Sequence, residues 1–260
     1  MTTMFRKVVI ILALFAISIV ATSIANAQEF VTDGLISFWT LDKSTITGTT
    51  VNDVFGKTDG QIVGQPKTVA GKIKECLKFS GSVDRVEVPK TLMVGLESFT
   101  IECWFNYENS ANWRWMFGGG PEWNYGLGCC IYSGSNIVRY HLHTDEGSFY
   151  VGNGSTKLNP GDWYHIVYTY DGKTAKSYVN GEQDFEWAIT GVVVIDPTTL
   201  AIGAGYWNNG EYFVGMIDEV RIYNRALSKD EANINYNAKS NSLAVESAGK
   251  LAVTWGGIKR

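Results

Sequence analysis

A chain of 260 residues, 45% hydrophobic and 13% aromatic, can bury a sizeable core and fits one domain better than two. Its formal charge of −4 gives no electrostatic reason to expect nucleic acid or an anionic membrane as partner. Its 28 glycines point to many turns between aromatic-rich strands, and its 4 cysteines are too few for a disulfide scaffold.

Residues 1–27 read as a secretion signal. Arg6 and Lys7 form a basic start, and Val8 to Ala21 is apolar but too short for a membrane span. Ala25-Asn26-Ala27 is a small-residue cleavage site, which makes Gln28 the expected mature N-terminus. A retained signal anchor is the alternative. The expected location is secreted, extracellular or periplasmic, and no later apolar stretch is long enough to cross a bilayer.

The first strand is expected in Asp33 to Asp42, followed by a loop over Thr47 to Gly60 punctuated by Gly48, Asn52, Asp53, Gly56 and Asp59. Leu77 to Phe79 and Arg85 to Val88 form strands around Ser80-Gly81-Ser82. Ser98 to Tyr107 alternates, with Phe99, Ile101, Cys103 and Phe105 on one face and Thr100, Glu102, Trp104 and Asn106 on the other. Further strands are expected at 125–132, 136–143 and 147–151. Asp171-Gly172 joins Trp163 to Tyr170 with Ala175 to Val179 as a hairpin, and Asn180-Gly181 marks a second turn. Leu200 to Gly203 and Val214 to Tyr223 complete the strands, with a bulge expected at Gly215. Ser228 and Glu231 have capping-box spacing, so a short helix should begin at Lys229. Strands at this spacing predict an all-β, antiparallel two-sheet sandwich with one short C-terminal helix. The domain is expected over 31–238. The tail 239–260, where Leu251, Val253 and Trp255 alternate, either adds an edge strand or packs loosely.

Several segments, in order, resemble the laminin-G-like, concanavalin A-type jelly rolls. They are Gly34 to Asp42, Asp53-Val54-Phe55-Gly56, Leu77 to Gly81, Phe99 to Phe105, Trp163 to Val167, Tyr178 to Gly181 and the Ile217 to Leu227 ending. The resemblance implies the jelly-roll sandwich. It also implies a structural calcium near the first and last strands, with Asp218 at an acidic ligand position and Asp42 and Asp53 as companions. It leaves function open, because this fold hosts lectin-like binders, adhesion modules and glycosidases.

Three constellations could carry chemistry. Glu182, Asp184 and Glu186 have the two-residue spacing of the laminarinase-like catalytic strand, where a retaining mechanism needs two carboxyls about 5 Å apart. The Asn-Gly turn just before them is the wrong context, and a solvated acidic face explains the same pattern. His141 and His143 share a strand face without an evident third metal ligand, and His165 is expected to hydrogen-bond structurally. Aromatic residues crowd two glycine- and asparagine-rich stretches: Trp113, Trp115, Trp123 and Tyr125 in the first, Trp207 in the second. Such rings stack on sugar C–H faces, while Asn124, Asn208 and Asn209 would bond hydroxyls. Core packing competes for Trp113 and Trp115, which strand alternation would bury together or expose together. The cysteines read as small buried residues, with a Cys76–Cys103 bridge as the alternative. The leading function is a non-catalytic carbohydrate-binding module. A protein-interaction or adhesion module and a glycosidase using Glu182 and Glu186 are the alternatives, so the partner is a glycan or an extracellular protein.

Overall fold

A computed structural model describes residues 30–119, 126–146, 152–195, 200–205 and 210–241. The signal segment, the expected strand at 147–151 and the tail beyond Asn241 lie outside these residues. In chain order the strands begin with β1 (Leu35–Trp39), β2 (Ile46–Thr47), β3 (Thr50–Val51), β4 (Gly60–Val63), β5 (Lys67–Ala70), β6 (Glu75–Ser80) and β7 (Arg85–Val88). The central run is β8 (Phe99–Tyr107), β9 (Arg114–Gly119), β10 (Leu127–Ile131), β11 (Val138–Leu142) and β12 (Gly152–Asn153). The chain continues through β13 (Tyr164–Tyr170), β14 (Thr174–Val179), β15 (Glu182–Ala188), β16 (Leu200–Ile202) and β17 (Val214–Tyr223), then helix α1 (Lys229–Asn237).

These strands form two antiparallel sheets. The first has the order β15-β14-β13-β8-β17-β6-β5, with β1 pairing on β17, and the second the order β12-β11-β10-β9-β16-β7-β4-β3-β2. Between them lies the main core, to which Phe99, Ile101, Cys103 and Phe105 of β8 and Val138, Tyr140 and Leu142 of β11 contribute. The alternation expected in Ser98 to Tyr107 is present, but every residue of β8 is buried. The reason is a second layer: Phe30, Phe38, Val167, Tyr178, Tyr223, Leu227 and Ala232 pack on the far side of the first sheet, beneath α1 and the N-terminal segment.

That far side carries a buried ion network. Arg221 donates to Glu102 at 2.9 Å and to Glu219 at 2.6 Å, all three being fully buried. Its guanidinium carbon lies 4.1 Å from the Phe30 ring centre and 4.2 Å from that of Phe38. Asn235 of α1 donates to Glu102 and to the Tyr223 hydroxyl, while its own carbonyl accepts from Val31 N. The helix starts where the capping box places it, Ser228 Oγ accepting from Glu231 N and Glu231 Oε2 from Ser228 N.

Local departures from expectation have backbone causes. The bulge in β17 falls between Asp218 and Arg221, where Glu219 adopts φ 56°, and not at Gly215. Gly215 is required for another reason: a Cβ there would lie 2.1 Å from the carbonyl oxygen of Asn106 on β8. The expected 47–60 loop includes the short pair β2–β3, and Arg114–Gly119 is a strand, β9. The Cys76–Cys103 alternative fails. All four cysteines are free, and Cys103 faces the main core whereas Cys76, out of phase with the core-facing Leu77 and Phe79 of β6, points away.

Arg221→Leu strands two buried carboxylates without their cation and is expected to cost about 3–5 kcal/mol. Ser228→Ala, which removes only the cap, should cost about 1 kcal/mol. Urea denaturation of both variants against the parent checks the difference, and equal losses would contradict it.

Candidate functional site

Residues of β9, β10 and β11 that do not face the core line the outer face of the second sheet. Trp115 and Cys130 pair across β9 and β10 and form a small cluster with Trp113, apart from the main core. Trp115 is laid against the sheet over glycines. A Cβ would come 2.1 Å from its ring at Gly205, 2.9 Å at Gly118 and 2.8 Å at Gly128. Its Nε1 donates to Glu211 at 2.7 Å, and burial pushes the Glu211 carboxyl above its usual range despite that bond.

His141 of β11 lies 4.9 Å from the Trp115 ring and 6.2 Å from the Trp113 ring. Trp113 and Tyr132 meet at 5.0 Å, and the Arg139 guanidinium lies over both, 5.1 Å and 4.6 Å from their centres. Trp115 and His141 are buried; Trp113, Tyr132 and Arg139 are half-buried. The two tryptophans therefore share a face, as alternation requires, but at different depths. Trp115 is the floor, and Trp113 stands at the rim. The remaining expected ligand residues, Trp123, Tyr125, Trp207 and Asn208, with Asn124 and Asn209, lie outside the described residues. Sequence reading missed Tyr132, Arg139 and Glu211. The outward parity of Arg139 and His141 against Val138, Tyr140 and Leu142 was the available signal for the β11 residues.

The acidic strand does not form a carboxylate row. A register shift in the β14–β15 ladder turns Asp184 inward. There it accepts from the Tyr140 hydroxyl at 3.1 Å, Ser155 N at 2.9 Å and Thr156 N at 2.6 Å. Glu182 and Glu186 stay exposed on an edge strand, the first bonded to Lys229 at 2.7 Å, the second 3.5 Å from Lys176.

The expected calcium trio does not assemble either. Asp53 organises its own loop, Oδ1 accepting from Phe38 N, Phe55 N and Gly56 N and Oδ2 from Thr58 N. Asp42 and Asp218 do come to one place, joined by Glu219. Asp42 Oδ2 and Glu219 Oε1 both accept from Asn241 Nδ2, at 2.8 and 2.9 Å. Asp218 Oδ2 accepts from Lys72 N and Ile73 N, while its buried Oδ1 has no hydrogen-bond partner among the described residues. Burial, then the charge of Glu219, pushes Asp218 up to about 8. Among the described residues no group of three or more His, Cys, Asp or Glu side chains is arranged to hold a metal ion. That also holds for His141 and His143. His165 is fully buried beside Trp104, its Nε2 3.7 Å from Glu102, and burial pushes it down to about 4.

A two-sheet antiparallel jelly roll is an architecture that lectin domains share with other all-β proteins. The chain belongs to the concanavalin A-like lectin/glucanases superfamily, whose laminin-G-type profile matches residues 80–233. No functionally curated protein matches significantly in sequence. Among solved structures, domain 4 of AbnA, a GH43 extracellular arabinanase from Geobacillus stearothermophilus solved with arabinotriose, superposes with a TM-score of 0.63. It is 22% identical, over 78% of this chain and 98% of that one. The binding domain of Paraclostridial Mosquitocidal Protein 1 gives 0.64 at 15% identity, covering 81% of this chain and 53% of that one. Trypanosoma rangeli sialidase in complex with 2,3-difluoro-KDN gives 0.61 at 18% identity, over 80% and 33%. This chain thus spans about half of the second chain and a third of the third. The likeness is one of fold, and the superfamily holds both binding proteins and glucanases. No described helix is long and apolar enough to cross a membrane.

Burial, then the positive charge of Arg139, pushes His141 down to about 3. The unfolded chain takes up this proton near pH 6.5 and the folded chain does not, so stability from His141 is complete above pH 6.5 and falls as pH drops towards 3. His141→Gln should remove about 1.4 kcal/mol per pH unit of that slope between pH 6 and pH 4. Denaturant titrations of both proteins across this range measure the difference, and parallel curves would contradict it.

Proposed function

We propose that this protein is an exported, non-catalytic carbohydrate-binding module that grips glycans on the outer face of its second sheet. The observation that carries the reading is the half-buried Trp113 ring, standing on that face with Tyr132 and Arg139 and braced from below by Trp115 and His141. An indole outside the main core, held rigid by a packed floor, presents an apolar plane to a pyranose or furanose face at little entropic cost. Trp123, Tyr125, Trp207 and Asn208 join the proposal from sequence as further stacking and hydroxyl-bonding groups. The AbnA domain of like fold, solved with a trisaccharide, supports the same class of ligand. Export rests on the basic, apolar and small-residue order of residues 6–27.

A glycan array followed by calorimetry tests this. The expected result is binding of at least one oligosaccharide and a loss of about tenfold or more, roughly 1.4 kcal/mol, in Trp113→Ala. An array without hits at millimolar glycan, using folded protein, would overturn the reading.

A further inference from the structure

We propose that this protein forms an isopeptide bond within its own chain, between the side chains of Lys74 and Asn241. Lys74 ends the β5–β6 turn, where Gly71 N donates to the Lys74 carbonyl at 3.0 Å. Asp218 Oδ2 fixes that turn by accepting from Lys72 N and Ile73 N. Lys74 itself is held at φ 57°, a left-handed conformation that a residue with a side chain rarely adopts. From there its Nζ donates to Asn241 Oδ1 at 2.6 Å, joining segments far apart in the chain. The nitrogen of the same amide is gripped by two carboxylates, Nδ2 donating to Asp42 Oδ2 at 2.8 Å and to Glu219 Oε1 at 2.9 Å. These partners fix the orientation of the amide, because a flipped group would set its oxygen against two carboxylates and its nitrogen against an ammonium. Asp42, Glu219 and Asn241 are buried, and Lys74 reaches them from an exposed turn position.

An amine, an amide carbon and two proton acceptors in one place are the parts of an amide exchange. Asp42 Oδ2, 4.0 Å from Lys74 Nζ, takes a proton from the ammonium, and the free amine attacks Cγ of Asn241. Glu219 takes a second proton from the attacking nitrogen, and Asp42 returns its own to Nδ2. The Nζ–Cγ bond is then complete, the Cγ–Nδ2 bond breaks, and the ammonia released takes the proton from Glu219. The balance closes without a further reactant: a lysine ammonium and a primary amide become a secondary amide and an ammonium ion. A cavity of about 230 Å3, lined in part by Asp42, Lys74 and Asn241, gives the leaving group a way out. Holding the amine against the amide raises its effective concentration, which an otherwise unreactive amide requires. The product ties the β5–β6 turn to the last described residue. With all four cysteines free, it is a cross-link that no disulfide supplies among them, and closing so long a loop restricts the unfolded chain.

Tryptic mapping by mass spectrometry, on the folded full chain after incubation at neutral pH, tests this. A lysine in an isopeptide bond resists trypsin, so the expected product is a branched peptide joining residues 73–78 to residues 240–250. It should be lighter than the two peptides together by one ammonia, about 17 Da. The branch should be absent in Lys74→Arg, which keeps the charge of an exposed turn residue and cannot form the amide. In Asp42→Asn, which leaves the Arg221 network untouched, it should form at least tenfold more slowly. Cleavage after Lys74 together with a free 240–250 peptide, in folded parent protein, overturns the proposal. A branch that persists in Lys74→Arg overturns Lys74 as the amine, and an unchanged rate in Asp42→Asn overturns Asp42 as the base.

Discussion

The Arg221 guanidinium is the interaction on which the rest of the structure depends. It sits on β17 between two carboxylates, Glu102 of β8 and Glu219 of its own strand, and between two phenylalanine rings from the N-terminal segment. Glu102 in turn holds Asn235 of α1, which holds Val31. One buried cation thereby connects the two central strands, the closing helix and the start of the domain. A buried ion network adds little net stability over well-packed apolar residues of the same volume, but removing one member is costly. Its effect is therefore to specify an arrangement: few other packings of these strands would give every charge its partner.

That arrangement divides the labour between the two sheets. The far side of the first sheet is covered by α1 and the N-terminal segment, so it is structural. The outer face of the second sheet carries no such layer among the described elements, and it is where aromatic residues stand outside the main core. The described ends of the chain, Phe30 and Asn241, both belong to the covered side.

The aromatic face depends on what is missing from it. Trp115 lies flat because three backbone positions beneath it have no side chain, and alanine at Gly205 would place a carbon inside the indole's contact distance. The glycines that read in sequence as turn punctuation are here a pavement. With Trp115 so held, the rings above it gain a rigid base, and rigidity lowers the entropy lost when a ligand is gripped.

Much of the architecture was legible because it rests on local periodicity. The alternation in β8, the Asn180-Gly181 turn, with φ of 53° and 81° in the structure, and the Ser228–Glu231 cap are each written within a few residues. The strand β9 was not, since glycine and tryptophan in succession carry no clear period. Site residues were legible only by type. The sequence by itself determined an antiparallel two-sheet sandwich, the capped helix and the kinds of side chain available to stack on a sugar, because steric alternation and hydrogen-bond capping act over short stretches of chain. Only the tertiary structure decided which of those side chains meet. It turned Asp184 inward at a bulge, tied Asp53 to its own loop, replaced it by Glu219 beside Asp42 and Asp218, and set Arg139 over Trp113. Those outcomes depend on register and on contacts between segments far apart in the chain, and no local pattern encodes them.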